Sequence, residues 1–138
     1  MCREESMKKL FVFLVSLILS VVFSTSASAV KIDGIYYMVF SNETAEVSYG
    51  AEKYSGEVVI PSSITVEGKE YAVTSIEKKA FYQAKKLKNV TIQSTTITSI
   101  GSKAFAKANK NLIIRVPSSK KKAYKKLLKG KGVYKLIK

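Results

Sequence analysis

The chain contains one cysteine, no histidine and no tryptophan. Its cysteine, Cys2, lies ahead of a long apolar run, so everything after that run is free of thiols and imidazoles. This excludes a stapling disulfide, a thiol nucleophile, a serine–histidine relay and a zinc site built from nitrogen and sulfur ligands. Carboxylates are what is left for catalysis, and a glycosidase needs two of them about 5–9.5 Å apart. The acids after the run are Asp33, Glu43, Glu46, Glu52, Glu57, Glu67, Glu70 and Glu77, each standing singly among strand and turn residues. No catalytic residue, metal ligand or cofactor site is expected, and the chain is not expected to be an enzyme.

Acids are also missing from the whole second half. Residues 30–77 carry three lysines and eight carboxylates, a net charge of −5, whereas residues 78–138 carry seventeen lysines, Arg115 and no carboxylate, a net of +18. A field of that kind attracts polyanions, while the same lysines also serve solubility and blunt exposed strand edges. Both readings stay open at this point.

Long apolar stretches are scarce too, with a single exception. Leu10–Phe23 is almost unbroken, Lys8 and Lys9 precede it, and Ala27-Ser28-Ala29 follows. That is the layout of a secretory signal cleaved before Val30, with Met7 an alternative start to Met1. As a helix the run would rise about 21 Å, short of the ~30 Å hydrocarbon core, so a spanning segment is not expected after cleavage. Lipid attachment at Cys2 is not expected either, because a lipoprotein cysteine would follow the run.

What the sequence does have is a repeat. Thr74-Ser75-Ile76-Glu77-Lys78-Lys79-Ala80-Phe81 returns 24 residues later as Thr98-Ser99-Ile100-Gly101-Ser102-Lys103-Ala104-Phe105, and Ala84 returns as Ala108. Units of this size cannot bury an apolar face alone and must stack. Three strand segments align with the repeat: Glu57–Ile60, Asn89–Ile92 and Ile113–Val116. The first interval is 32 residues instead of 24, and the excess matches a small hairpin over Thr65–Ala72 that turns at Glu67-Gly68. Side chains alternate along strands, so Val58, Val90 and Ile114 join Ile60, Ile92 and Val116 on the core face. Glu57, Asn89 and Ile113, with Val59, Thr91 and Arg115, then form two rows on an outward face spanning about 10 Å. These six are candidate ligand-binding residues.

Between the strands, Glu77–Ala84 and Ser102–Ala108 are expected to form short helical turns that point Phe81 and Phe105 inward. Upstream, Ile35–Phe40 and Thr44–Tyr49 read as a hairpin turning at Ser41-Asn42-Glu43. Tyr36 and Tyr37 could stack on a glycan, but sealing the end of the stack accounts for them more simply. Downstream, Pro117-Ser118-Ser119 opens a helix that Gly130 closes. Its stripe is Ala123/Leu127 with Tyr124/Leu128, surrounded by Lys120, Lys121, Lys122, Lys125, Lys126 and Lys129. Such a helix suits a membrane surface or a docked end cap, and two large aliphatics in about twelve residues favour the cap. Lys121, Lys122, Lys125 and Lys126 are the candidate contacts for a polyanion. Val133–Ile137 should add a last strand at the sheet edge.

Val58-Val59-Ile60-Pro61-Ser62-Ser63, Gly68–Ile76, Lys79-Ala80-Phe81, Leu87–Ile92 and Thr98–Phe105, in this order and spacing, resemble the BspA-like leucine-rich repeats of bacterial secreted and surface proteins. Asp33–Tyr37 with Thr44–Val47 is similar to the hairpin that often precedes the first such repeat. The likeness covers about residues 33–117, and Glu77 stands where the second unit has Gly101. The resemblance implies a right-handed leucine-rich-repeat solenoid and a role in recognition or adhesion outside the cell.

The expected architecture is therefore a β-rich α/β chain: signal peptide 1–29, hairpin cap 30–56, solenoid 57–117, and a basic capping helix and strand 118–138. Its expected partner is an extracellular protein or glycan. The alternative is a polyanionic wall or matrix polymer met by the lysines. No specific nucleic acid is expected, and the chain is expected to be a monomer, secreted or held at the surface.

Overall fold

The structure, a computed structural model, describes residues 26–50 and 52–137. The features expected from Cys2 to Phe23 lie outside the described residues. Three N-terminal strands come first, β1 (Ser28–Ile32), β2 (Ile35–Val39) and β3 (Thr44–Val47). They are followed by β4 (Gly56–Ile60), β5 (Ser63–Val66), β6 (Lys69–Ile76), β7 (Leu87–Ile92), β8 (Ser99–Ile100) and β9 (Ile113–Arg115). A 3-10 turn at Ser118–Lys120 leads into the helix α1 (Lys121–Leu128), and β10 (Lys135–Ile137) ends the chain.

Two sheets face each other across one core. The four-stranded sheet runs β10-β9-β7-β4 and is parallel throughout. The six-stranded sheet runs β1-β2-β3-β6-β5, with β8 pairing parallel to β6. The register is the one that the spacing demands: Val58 beside Val90, Val90 beside Ile114, and Ile76 beside Ile100. Leu136 extends the first row one strand further. The inserted hairpin forms as β5–β6, with Glu67 and Gly68 both in the left-handed region that such two-residue turns require.

The connections between sheets differ from the expected helical turns. Residues 77–84 and 101–108 are tight non-helical turns, with positive φ at Lys79 and Gln83 and again at Lys103 and Lys107. The reason is the hydrogen bonding. A helix would turn the backbone groups on themselves. Here the Lys79, Phe81 and Gln83 N–H groups instead donate to the Ser102, Ala104 and Ala106 carbonyls of the next layer, at 3.1, 2.8 and 3.0 Å. The inward aromatic rings form a ladder through the core. Tyr36, Tyr54, Phe81, Phe105 and Tyr134 follow at centroid spacings of 6.3, 4.8, 5.0 and 6.5 Å, the two phenylalanines stacked at 2°.

Gly101 shows how close the layers come. A Cβ there would overlap the backbone of Lys78. At Glu77, one layer earlier, the neighbouring chain is the exit from β3, where the Ser48 hydroxyl and the Tyr49 N–H donate to the Glu77 carboxylate at 2.7 and 2.9 Å. A polar side chain therefore fits at 77 where only hydrogen fits at 101.

Candidate functional site

The outward rows of the four-stranded sheet stand as the alternation of strand side chains requires. Glu57, Asn89 and Ile113 share one row, and Val59, Thr91 and Arg115 share the other. The structure lengthens both, because β10 places Lys135 beside Ile113 and Ile137 beside Arg115. Four strands at ~4.8 Å make a face about 14 Å across. Asn89 Nδ2 donates to Glu57 Oε1 at 2.8 Å, Val59 is 47 % exposed, and Arg115 is exposed. The face thus carries Asn89, Thr91, Ile113 and Arg115 on its inner strands, with Val59 beside Glu57 on one edge strand and Ile137 beside Lys135 on the other. Lys135 and Ile137 were not among the expected site residues. Their place follows from parallel pairing with β9, which the 22-residue step from 113 to 135 does not announce.

The first strand of this sheet borders a cleft of about 800 Å³. Its lining includes Glu57, Val59 and Pro61, Ile64 of the inserted hairpin, and Tyr36 and Tyr54. The cleft exists because the N-terminal strands continue the six-stranded sheet past β6, while the four-stranded sheet stops at β4. Tyr54 is fixed by its hydroxyl, which donates to the Ser48 carbonyl at 2.8 Å and accepts from the Tyr36 N–H at 3.0 Å. Burial pushes its pKa up to about 12. Tyr37 is fully buried and Tyr36 half-buried, so the pair packs against the core instead of forming an open stacking platform.

The helix lysines stand elsewhere. α1 packs on β8, on the side of the six-stranded sheet, and the site residues of helix and sheet are not brought together. Tyr124 holds the helix in place: its hydroxyl donates to the Ser94 carbonyl at 2.7 Å and accepts from the Ile97 N–H at 3.1 Å. The buried stripe is narrower than expected, since Tyr124 and Leu128 are buried, Leu127 is half-buried and Ala123 is exposed. The helix has only about two turns, so its buried row is the i, i+4 pair Tyr124/Leu128, and 123 lies outside it. Lys122, Lys125 and Lys126 are exposed and Lys121 half-buried. Lys125 and Lys126 occupy the last turn, where the helix dipole favours cations.

A further basic feature lies on the turn side. Tyr82 sits beneath two lysines, with Lys79 Nζ 5.3 Å and Lys107 Nζ 5.8 Å from its ring centroid. A hydrogen bond from Lys107 lowers the Tyr82 pKa, and the charges of Lys107, Lys79 and Lys103 act in the same direction. The repeated lysines at 79 and 103 signal this ridge in the sequence, once the turns that carry them are known. Among the described residues the ion pairs are Lys31–Glu52 at 3.8 Å and Lys69–Glu43 at 3.5 Å, both within the acidic half. No lysine between 78 and 137 meets a carboxylate there.

Among the described residues no cluster of three or more acids, cysteines or histidines is placed to hold a metal, and no helix is long and apolar enough to cross a membrane.

Residues 57–134 match the BspA type leucine rich repeat region (6 copies), a range that runs past the expected repeats through α1. No curated protein matches the chain. Among solved structures it resembles a leucine rich cell surface protein of Faecalibacterium prausnitzii, at 23% identity and a TM-score of 0.54 over 70% of this chain. It spans only 25% of that protein's length. A leucine-rich repeat protein of Bacteroides capillosus aligns at 28% identity and a TM-score of 0.48, over 64% of this chain and 72% of the other. With the matched region covering more than half of its length, in the register seen in the two sheets, the chain belongs to the BspA-type leucine-rich repeat family.

Proposed function

We propose that this chain is an exported recognition module that binds an extracellular protein or glycan through the outward face of its four-stranded sheet, without catalysis. On this reading the stacked layers form a short right-handed solenoid, closed at one end by the N-terminal strands and at the other by α1. The observation that carries it is the face itself: the rows Glu57-Asn89-Ile113-Lys135 and Val59-Thr91-Arg115-Ile137 run side by side across a parallel sheet, with opposite charges on the two edge strands. Site residues on strands are held more firmly than residues on loops, and the face combines exposed apolar side chains with hydrogen-bonding and charged ones, as binding patches do. The surface-protein description of the structural relative fits export. A second reading, contact with a polyanionic wall or matrix polymer, is favoured by the lysines of residues 78–137, none paired with a carboxylate among the described residues.

One experiment separates the two. The chain is screened against matrix proteins, glycans and a phosphate-rich wall polymer at low and high salt. Thr91→Arg places bulk and charge at the centre of the face. Changing Lys121, Lys122, Lys125 and Lys126 together to Gln removes charge from α1 without touching Tyr124 or Leu128. On the sheet-face reading, Thr91→Arg weakens binding about tenfold, the quadruple variant binds normally, and salt has little effect. If the quadruple variant alone loses affinity and flattens the salt slope, the polyanion reading replaces it.

A further inference from the structure

The two ends of the four-stranded sheet are complementary. Among the described residues, β4 pairs with β7 alone and β10 with β9 alone, so each presents an open edge. In a parallel ladder, alternate residues direct both backbone groups to the same neighbour. Ile60 accepts from the Gln93 N–H at 2.8 Å, which turns Val58 and Ile60 toward β7 and leaves the N–H and C=O groups of Glu57 and Val59 on the open side. At the far end, the Lys135 N–H donates to Leu112 at 2.7 Å and Ile137 accepts from the Val116 N–H at 3.2 Å. Leu136 is therefore the β10 residue whose backbone groups face outward.

These open groups fit each other in the register already used inside the sheet. If β10 of one copy lay parallel beside β4 of another, Leu136 would pair with Val58. Its N–H would reach the Glu57 carbonyl, and its carbonyl would receive the Val59 N–H. The side-chain rows would continue without a break. Leu136 would lie beside Val58 on the core face, Ile137 beside Val59 on the outward face, and Lys135 beside Glu57 as a pair of opposite charges. The ends of the molecule are also offset in the right sense. At the N-terminal end the six-stranded sheet overhangs and leaves the 800 Å³ cleft beside β4, while at the C-terminal end β10 continues the other sheet. The charges agree as well, because Asp33, Glu52 and Glu57 outnumber Lys31 and Lys53 in the cleft lining, while β10 carries Lys135 in a half without carboxylates.

We propose that copies of this chain join head to tail, the strand Lys135–Ile137 of one entering the cleft and pairing in parallel with Gly56–Ile60 of the next. This departs from the monomer expected from the sequence. The contact is heterologous: it uses different patches on the two copies, so it does not close on itself and adds copies into open chains. Main-chain hydrogen bonds at a free strand edge supply the attachment, and the Lys135–Glu57 pair sets the register.

The test is sedimentation of the chain, as recovered from an expressing host, across a concentration series at low salt. An open series of oligomers that grows with concentration and shrinks with salt is expected. Glu57→Lys and Lys135→Glu should each weaken association about tenfold, through loss of the cross-strand pair and like-charge contact. An equimolar mixture of the two variants should regain it, because each then meets the opposite charge in the other. Val59→Pro removes an outward N–H without touching the β7 ladder and, since every junction uses one β4 edge, should leave the variant monomeric, with circular dichroism checking that it folds. A chain that stays monomeric throughout overturns the proposal, and leaves the cleft to an extended segment of a different protein. So does an assembly that ignores both charge reversals, or a mixture that fails to restore it.

Discussion

Replacing Phe105 by alanine should remove a large share of the stability of this molecule. Phe81 and Phe105 are 1% and 0% exposed, and their rings stack 5.0 Å apart with planes 2° from parallel. Truncating a buried phenylalanine costs about 3–5 kcal/mol through lost transfer energy and the cavity left behind. For the 111 described residues, the ordinary stability per residue gives about 6–17 kcal/mol in total. A variant at the lower end of that range would be close to unfolding at room temperature. Phe81→Leu and Phe105→Leu are milder, and with their double variant they complete a cycle that isolates the contact between the rings. The stacked pair should show a coupling of about 0.5–1.5 kcal/mol. Urea unfolding measures all four proteins, with an unchanged denaturant slope showing that the same surface is exposed each time. Independent leucine variants, or an alanine variant that loses less than about 1 kcal/mol, would refute the view that one aromatic column joins the layers.

Two further outcomes are expected. Tyr54 titrates at about 12 in the fold against an ordinary value of 10.0, so its contribution is complete below pH 10 and is lost as pH rises toward 12. Tyr54→Phe should cost about 1–2 kcal/mol at neutral pH by stranding the Tyr36 N–H, and urea unfolding should then fall less steeply with pH between those limits. Export with cleavage before Val30 should give an intact mass that begins at Val30. Three of the five β1–β2 residue pairs, Val30–Tyr37 through Ile32–Ile35, would remain. A cell-retained product still carrying Leu10–Phe23 would contradict it.

The parallel register was legible because identical residues at fixed spacing leave one way to stack. Val58, Val90 and Ile114 align with no slip, and Glu67-Gly68 announces its own turn. The segments after β6 and β8 look helical in sequence for a local reason. Ala80/Phe81/Ala84 fits a single helical turn as well as a tight bend, and the left-handed positions hold Lys79, Gln83, Lys103 and Lys107 instead of a telltale glycine. Periodicity alone puts Ala123 in the stripe, and periodicity does not say how wide the supporting surface is. The cleft was invisible for a deeper reason: it is the place of a strand that the four-stranded sheet lacks, and no residue encodes a missing neighbour. The lysine ridge around Tyr82 likewise needed the stacking of layers to bring positions 79 and 107 to one ring.

The equal step between layers makes the molecule a ruler. Ile76 meets Ile100 and Val90 meets Ile114 at the same 24-residue interval in opposite sheets, so one period advances both walls together. A duplicate of residues 85–108 spliced after Ala108 would bring its own strand, its own inward phenylalanine and its own close-packed glycine. It would lengthen the body by one strand spacing, about 4.8 Å. Neither the N-terminal strands nor α1 would meet a new neighbour, since each touches only the layer next to it. Reach can thus change by whole units while the two ends keep their chemistry, and a gene can set it by counting.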